Sequence, residues 1–247
     1  MLARDAGSYR EREVRGQLQD HFSCVWVNRL RATAPSSIVV VPDGSMDLQW
    51  IFGRWRIAGP DRQPQTETLP VGAVVVGFRF QPGSATGWLG MAASELCNQR
   101  VDLEDICASA AHQMNLAAES IGPSAPISEL ETVVARWAAK VCLPDPEMTV
   151  AHRLLSAGGP SGTDVVPWLM AELSMSERTL RRRFETAFGY GPKTLDRILR
   201  FQRYLDLSRH RPEESAAHRA AAIGYADQSH LVRECRRLAL CTPSQIG

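Results

Sequence analysis

Arg178, Arg181 and Arg182 stand at positions i, i+3 and i+4 of a segment that begins Ser176-Glu177 and runs to Phe188. In a helix this spacing gathers all three on one face. An exposed helix face carrying guanidinium groups suits double-stranded DNA. A helix fits the major groove, and arginine bonds guanine O6 and N7 in bidentate fashion or pairs with phosphates. Base reading then falls to Arg178, Arg181 and Arg182 with Thr179 beside them, and Arg183 lies nearer the phosphate backbone. A second group, Gln228, Ser229, His230 and Arg233, carries donors and acceptors able to reach base edges or phosphates.

The elements that must position these groups are legible nearby. Leu180, Phe184 and Phe188 recur at i, i+4 and i+8 opposite the arginines, so they share a buried face. Ser176 is placed to cap the helix and Glu177 to complement its N-terminal dipole. With the short apolar segment Val165 to Leu173 in front and Ser174-Met175-Ser176 between, the pattern is a helix-turn-helix. A charge run is usually just a solvated helix face, but this one sits on the second helix of such a unit. A similar unit follows a long amphipathic segment, Pro192 to Ser208. The alanine-rich stretch to Ile223 ends at Gly224, which tolerates positive φ. Asp227 then caps a helix whose inward residues are Leu231, Cys235 and Leu238.

Charge separates this part from the rest. The 247 residues carry a formal net charge of +1. Residues 1–146 hold 13 Lys and Arg against 16 Asp and Glu, and residues 147–247 hold 15 against 11. The basic C-terminal part is therefore the one to meet a polyanion. Leu143-Pro144-Asp145-Pro146 marks the boundary, because two prolines cannot continue a preceding helix. Beyond it helices are expected over Glu147 to Ala157, Val165 to Leu173, Glu177 to Phe188, Pro192 to Ser208, Glu214 to Ile223 and Gln228 to Leu238, with a loop at Gly158 to Gly162.

The first hundred residues read as strands, at Cys24 to Arg31, Ser37 to Val41, Asp47 to Phe52, Arg54 to Ala58, Thr68 to Pro70 and Ala73 to Phe80, punctuated by Gly and Pro. Helices follow at Asp102 to Ser120 and Ile127 to Cys142, separated by Gly122-Pro123. Their apolar stripes, Leu103, Ile106, Met114 and Leu116, then Leu130, Val133, Val134 and Trp137, serve packing in the monomer or pairing of two copies equally well. Five of the six tryptophans precede the boundary. They fill a small β core or line a pocket whose orienting groups are Asp43, Asp47 and Arg79, with Trp50 and Phe78 as apolar wall.

The C-terminal hundred residues resemble the DNA-binding domain of AraC/XylS-type transcriptional regulators. The matching stretches are Leu173 to Phe184, Phe188-Gly189-Tyr190-Gly191-Pro192, Arg197 to Leu207 with Arg200 and Tyr204, Ile223 to Leu231, and Cys241-Thr242-Pro243-Ser244. The resemblance implies two helix-turn-helix units joined by a long helix, with recognition helices at Glu177 to Phe188 and Gln228 to Leu238. Two positions depart from the pattern: Leu240 replaces a glycine that takes positive φ, and Cys235 replaces an aromatic. Both weaken the second unit. More loosely, Val41 to Leu48, Ile57-Ala58-Gly59-Pro60 and Val76 to Gly83 resemble a small domain of undefined activity that precedes this module in bacterial regulators. That implies a cupin-like, effector-sensing domain.

The fold class expected is thus α+β, with a β-rich regulatory domain over 1–100, a helical connector or dimerisation segment over 101–143, and a double helix-turn-helix over 147–247. An enzyme is disfavoured: only His21 and His112 precede Pro146, at no metal-ligand spacing, and no nucleophile motif appears. Neither a cofactor nor a metal is expected. The partners to expect are promoter DNA, with a small-molecule effector, RNA polymerase and a second copy of the chain as further candidates. No apolar run reaches the roughly 18 residues of a membrane span and no signal sequence is visible, so the expected address is the cytoplasm. Six scattered cysteines leave two rivals open: a thiol sensor through Cys24, Cys97 or Cys107, or a DNA-binding protein controlled only by its abundance or a protein partner.

Overall fold

A computed structural model describes residues 1–33, 37–119, 126–141, 143–159 and 164–246. Gly122-Pro123, Cys142 and Pro160 to Gly162 lie outside them. The chain opens with strand β1 (Gly7–Arg12), a 3-10 turn (Gly16–Asp20) and β2 (Phe22–Leu30), followed by β3 (Ser37–Val40), β4 (Asp47–Ile51), β5 (Arg54–Ala58), β6 (Gln65–Thr68) and β7 (Val74–Phe80). Helix α1 (Ala85–Leu89), a 3-10 turn (Ala93–Leu96), β8 (Arg100–Asp102), α2 (Leu103–Ile106), α3 (Ala108–Glu119) and α4 (Ile127–Ala138) complete the N-terminal half. Helices α5 (Pro146–Ser156), α6 (Val165–Leu173), α7 (Glu177–Phe188), α8 (Pro192–His210), α9 (Ala216–Ile223) and α10 (Gln228–Ala239) follow, with a closing 3-10 turn (Pro243–Gln245).

Six strands form one antiparallel sheet in the order β1-β2-β7-β4-β5-β8, and β3 pairs with β6 in a second sheet. Because side chains alternate across a strand, the large sheet has two dissimilar faces. Phe22, Phe78 and Phe80, with Leu48, Trp50, Trp55 and Ile57, face one way and enter an apolar core with Trp88 of α1 and with Leu103, Met114, Leu130, Val133 and Val134. The other face carries Tyr9, Trp26, Asp47, Gln49, Arg56 and Arg79. The helical stripes beyond residue 102 are thus buried within the chain, although Leu116 stays exposed. Trp137 packs edge-on against Trp88.

Several elements differ from those the sequence suggests. Strand β1, Gly-Ser-Tyr-Arg-Glu-Arg, went unrecognised because it is a sheet edge, where charged side chains are ordinary. The sixth strand is Gln65–Thr68 rather than Thr68 to Pro70, since its pairing with β3 sets its span. The helix expected from Asp102 breaks at Cys107, whose φ of −146° and ψ of 78° are not helical. Helix α1 and strand β8, both short, carried no periodic signal.

Beyond Pro146 the elements follow the expected order. Asp145 caps α5 by accepting from the Glu147 amide, with Pro146 in the first turn. Leu155, Leu169, Leu180, Phe184, Ile198, Phe201 and Tyr204, all 0% exposed, center the second core on α8. Leu2, Val41 and Cys97 of the N-terminal half pack against its edge.

Candidate nucleic-acid interface and interior cavity

The first helix-turn-helix closes its turn through Ser174 at φ 52°, and the Ser176 hydroxyl accepts from the Thr179 amide at 3.3 Å. That cap starts α7 at the residue where its apolar positions fall on the core. Leu180 and Phe184 are fully buried and Phe188 is 3% exposed. Arg178, Arg181 and Arg182 lie exposed on the other side. Arg181 pairs with Glu177 at 2.7 Å, and Arg178 and Arg182 have no ion-pair partner among the described residues. The Thr179 hydroxyl contacts that of Ser176 at 2.9 Å. Arg183 is employed differently. It turns to the start of α5, pairs with Asp145 at 2.6 Å and with Glu147, and reaches Met175 Sδ. Its charge is committed to holding α7 on α5, because it sits one position off the exposed stripe.

In the second unit Gly224 ends α9 at φ 85° and Asp227 caps α10, accepting from the His230 amide at 2.6 Å. Gln228, Ser229 and Arg233 are exposed, while the His230 ring rests edge-on against Tyr225 at 5.2 Å. Arg236 and Arg237 are exposed as well and were missed by the sequence reading. Their spacing from Ser229 and Arg233, i+7 and i+8 against i and i+4, was the available signal. Cys235 is fully buried between Leu231 and Leu238, and Leu240 holds φ 56° with 63% of its surface exposed.

The polar face of the sheet lines an open cavity of about 380 Å³, bounded on the far side by Gln202, Leu205, Asp206 and Arg209 of α8. Register places Asp47 opposite Arg79 and Gln49 opposite Arg56. Arg79 pairs with Asp43 at 2.8 Å and Asp47 at 3.3 Å. Arg56 and Arg100 share Glu67, at 2.7 and 2.8 Å, and Arg100 also grips Asp61 at 2.7 Å. Burial pushes the Asp47 and Asp61 carboxyls up, against the pull of Arg79 and Arg100. Burial opposes ionisation of Glu67 too, but Arg56 and Arg100 together hold its carboxyl below the usual range.

Of the five pocket residues expected from sequence, Asp43, Asp47 and Arg79 line the cavity and Trp50 and Phe78 do not. Trp50 and Phe78 belong to the apolar core on the opposite face, where Trp50 packs on Trp55 with ring centers 5.0 Å apart. The correction follows from alternation itself, since Trp50 and Asp47 are an odd number of residues apart, as are Phe78 and Arg79. The same rule puts Gln49 on the face of Asp47, and Arg56 joins it by register. Arg100, Glu67 and the α8 residues come from elements that sequence proximity does not connect.

Hydrogen bonds also join the two halves. Arg62 donates to the Gly189 carbonyl at 2.6 Å and Gln202 to the Pro42 carbonyl at 2.6 Å. Gly189, at φ 82°, lets the chain turn against Pro60, where a Cβ would come within 2.5 Å of the proline ring. Burial pushes the thiols of Cys24 and Cys97 up, the wrong direction for a reactive thiolate. No helix among the described residues is long and apolar enough to cross a membrane.

Residues 169–246 match the family model of a helix-turn-helix domain, and residues 13–102 match a domain of unknown function, DUF6597. The C-terminal part is an AraC-type helix-turn-helix domain. Among solved structures, the apo form of a lysine-to-alanine variant of ToxT from Vibrio cholerae superposes with a TM-score of 0.52 at 12% identity, covering 95% of this chain and 98% of that one. That likeness concerns the fold, a β-rich N-terminal half followed by a helical C-terminal half. No curated protein matches the chain significantly. The helix-turn-helix match places a DNA-binding domain of the transcriptional-regulator type in residues 169–246.

Proposed function

We propose that this AraC-type regulator works in the cytoplasm, reads promoter DNA with α7 and α10, and is controlled by a small molecule bound in the cavity between the sheet and α8. In this reading Arg178, Arg181 and Arg182 contact base edges, Thr179 flanks them, and Gln228, Ser229, His230 and Arg233 serve the second groove. Arg183 acts through α5 and not on the bases. Residues 1–100 form the regulatory domain, 101–143 complete its core, and 147–247 bind DNA. The observation that carries effector control is the wall shared by the two halves. Gln202, Leu205, Asp206 and Arg209, all on the helix that joins the two helix-turn-helix units, line the same cavity as Asp47 and Arg79. An occupant would touch the DNA-binding half directly, so its differential contacts could shift the placement of α7 and α10.

The test is binding of the full chain to its own promoter region and to a scrambled duplex across a salt series. Preference for the promoter that survives raised salt is expected, because phosphate attraction is screened and base reading is not. Equal binding to both duplexes, erased by salt, would overturn sequence-specific reading.

A further inference from the structure

Charges around the cavity do not cancel: five arginines line it against six carboxylates. The excess lies at one end. Arg100 and Arg56 are matched to Asp61 and Glu67, but Arg79 alone serves both Asp43 and Asp47. Asp47 Oδ1 accepts from the Trp26 indole at 3.1 Å and from Arg79, and no donor among the described residues reaches Oδ2. Beside it the Trp26 and Tyr9 rings stack with centers 5.9 Å apart. The indole lies flat over Gly77, where a Cβ would come within 2.2 Å of it. On the same wall Asn28, 7% exposed, donates to the Ala3 carbonyl and leaves Oδ1 without a donor.

With Arg4 over the Tyr9 ring at 4.8 Å and Glu11 on the Tyr9 hydroxyl, this end of the cavity holds Arg4 and Arg79 against Glu11, Asp43 and Asp47, one positive charge short, beside the Trp26 indole. A carboxylate shielded from water as Asp47 is, and sharing its arginine with a second carboxylate, costs free energy, and a cation near an indole face is attracted to it. Of the arginines lining the cavity only Arg4 stands outside the ion pairs among the described residues, and its guanidinium is the one that lies over the Tyr9 ring. A metal ion finds no ligating group of three among the described residues.

We propose that the occupant is a small organic cation, an amine or amidine on an apolar or aromatic body, with its positive group facing Asp47 Oδ2 beside Trp26. This assignment rests on the reading that the cavity receives an effector. The test is calorimetric titration of the full chain with tyramine and 4-hydroxyphenylacetate, which share a ring and carry opposite charge, and with putrescine and glucose. At least one of the two amines is expected to bind at least about tenfold more tightly than the acid or the sugar, a gap of about 1.4 kcal/mol. Asp47→Asn should weaken that amine about tenfold. Because Asp47 also anchors Trp26 and Arg79, Glu11→Gln is the second variant. It removes a charge from the exposed strand edge while leaving an acceptor for the Tyr9 hydroxyl, now at 2.7 Å, and should weaken the amine by about two- to threefold. Tighter binding of the acid or of glucose would keep an effector cavity and overturn the cation assignment. No heat from any of the four would overturn both. An amine that binds Asp47→Asn and Glu11→Gln as well as it binds the native chain would overturn the assigned site.

Discussion

The two helix-turn-helix units share α8 and little else. Helix α7 packs on α8 behind it and, through its C-terminal end, on the Ala85–Leu89 helix and the Ala93–Leu96 turn of the N-terminal half. Arg183 fixes it to α5, and Arg62 fixes the Gly189 turn that follows. Helix α10 packs on α8, α9 and the closing turn, holds a cysteine at its buried centre and ends at a leucine in left-handed conformation. The difference teaches that a change in the N-terminal half can reach the first unit by direct contact, and can reach the second along α8.

The largest expected effect tests how much the first unit depends on its aromatic anchor. Phe184→Ala should lower stability by about 3–5 kcal/mol, seen as a lower midpoint in urea. A loss under 1 kcal/mol would mean that the core collapses onto the vacancy and that α7 is held chiefly from outside. Next, Arg178→Ala or Arg182→Ala should weaken binding to the promoter by about 1–3 kcal/mol with a smaller loss on random duplex. An equal loss on both would make these arginines phosphate contacts and erase the functional distinction from Arg183.

Gly189→Ala probes the extra hold on α7. The left-handed backbone alone costs a β-carbon about 1–2 kcal/mol, and here the added carbon also meets Pro60. Melting should drop accordingly, and amide exchange should quicken in α7 more than in α10. Unchanged protection in α7 would show that the contact with the N-terminal half contributes nothing to it. The smallest effect concerns the second unit. Leu240→Gly relieves the left-handed strain at an exposed site and should stabilise the chain by about 0.5–1 kcal/mol, after allowance for the freer unfolded glycine. In the native chain, exchange should be faster in α9 and α10 than in α6 and α7. Equal protection of the two units would remove the contrast.

How far the sequence could be read depended on the range of the interactions involved. The caps at Ser176 and Asp227 and the apolar spacing of Leu180, Phe184 and Phe188 are set by residues within three or four positions, so the C-terminal helices and their exposed arginines were visible beforehand. Arg183 looked like a fourth member of the basic face, because its partners, Asp145 and Glu147, lie 38 and 36 positions upstream. In the β half, period-two alternation separated Phe78 from Arg79, yet it could not say which face would become core.

That choice was made by packing. Helices α1 to α4 cover the Trp50 and Phe78 side and leave Asp47, Gln49, Arg56 and Arg79 facing a cavity. The sequence by itself determined the double helix-turn-helix, its charge and the exposed basic face of α7, since helix caps and helical periodicity are local. Only the tertiary structure decided that α8 would bound the cavity and that Asp43 and Asp47 there would share one arginine. Those features require side chains from strands and helices more than a hundred residues apart to meet, and local periodicity carries no information about such meetings.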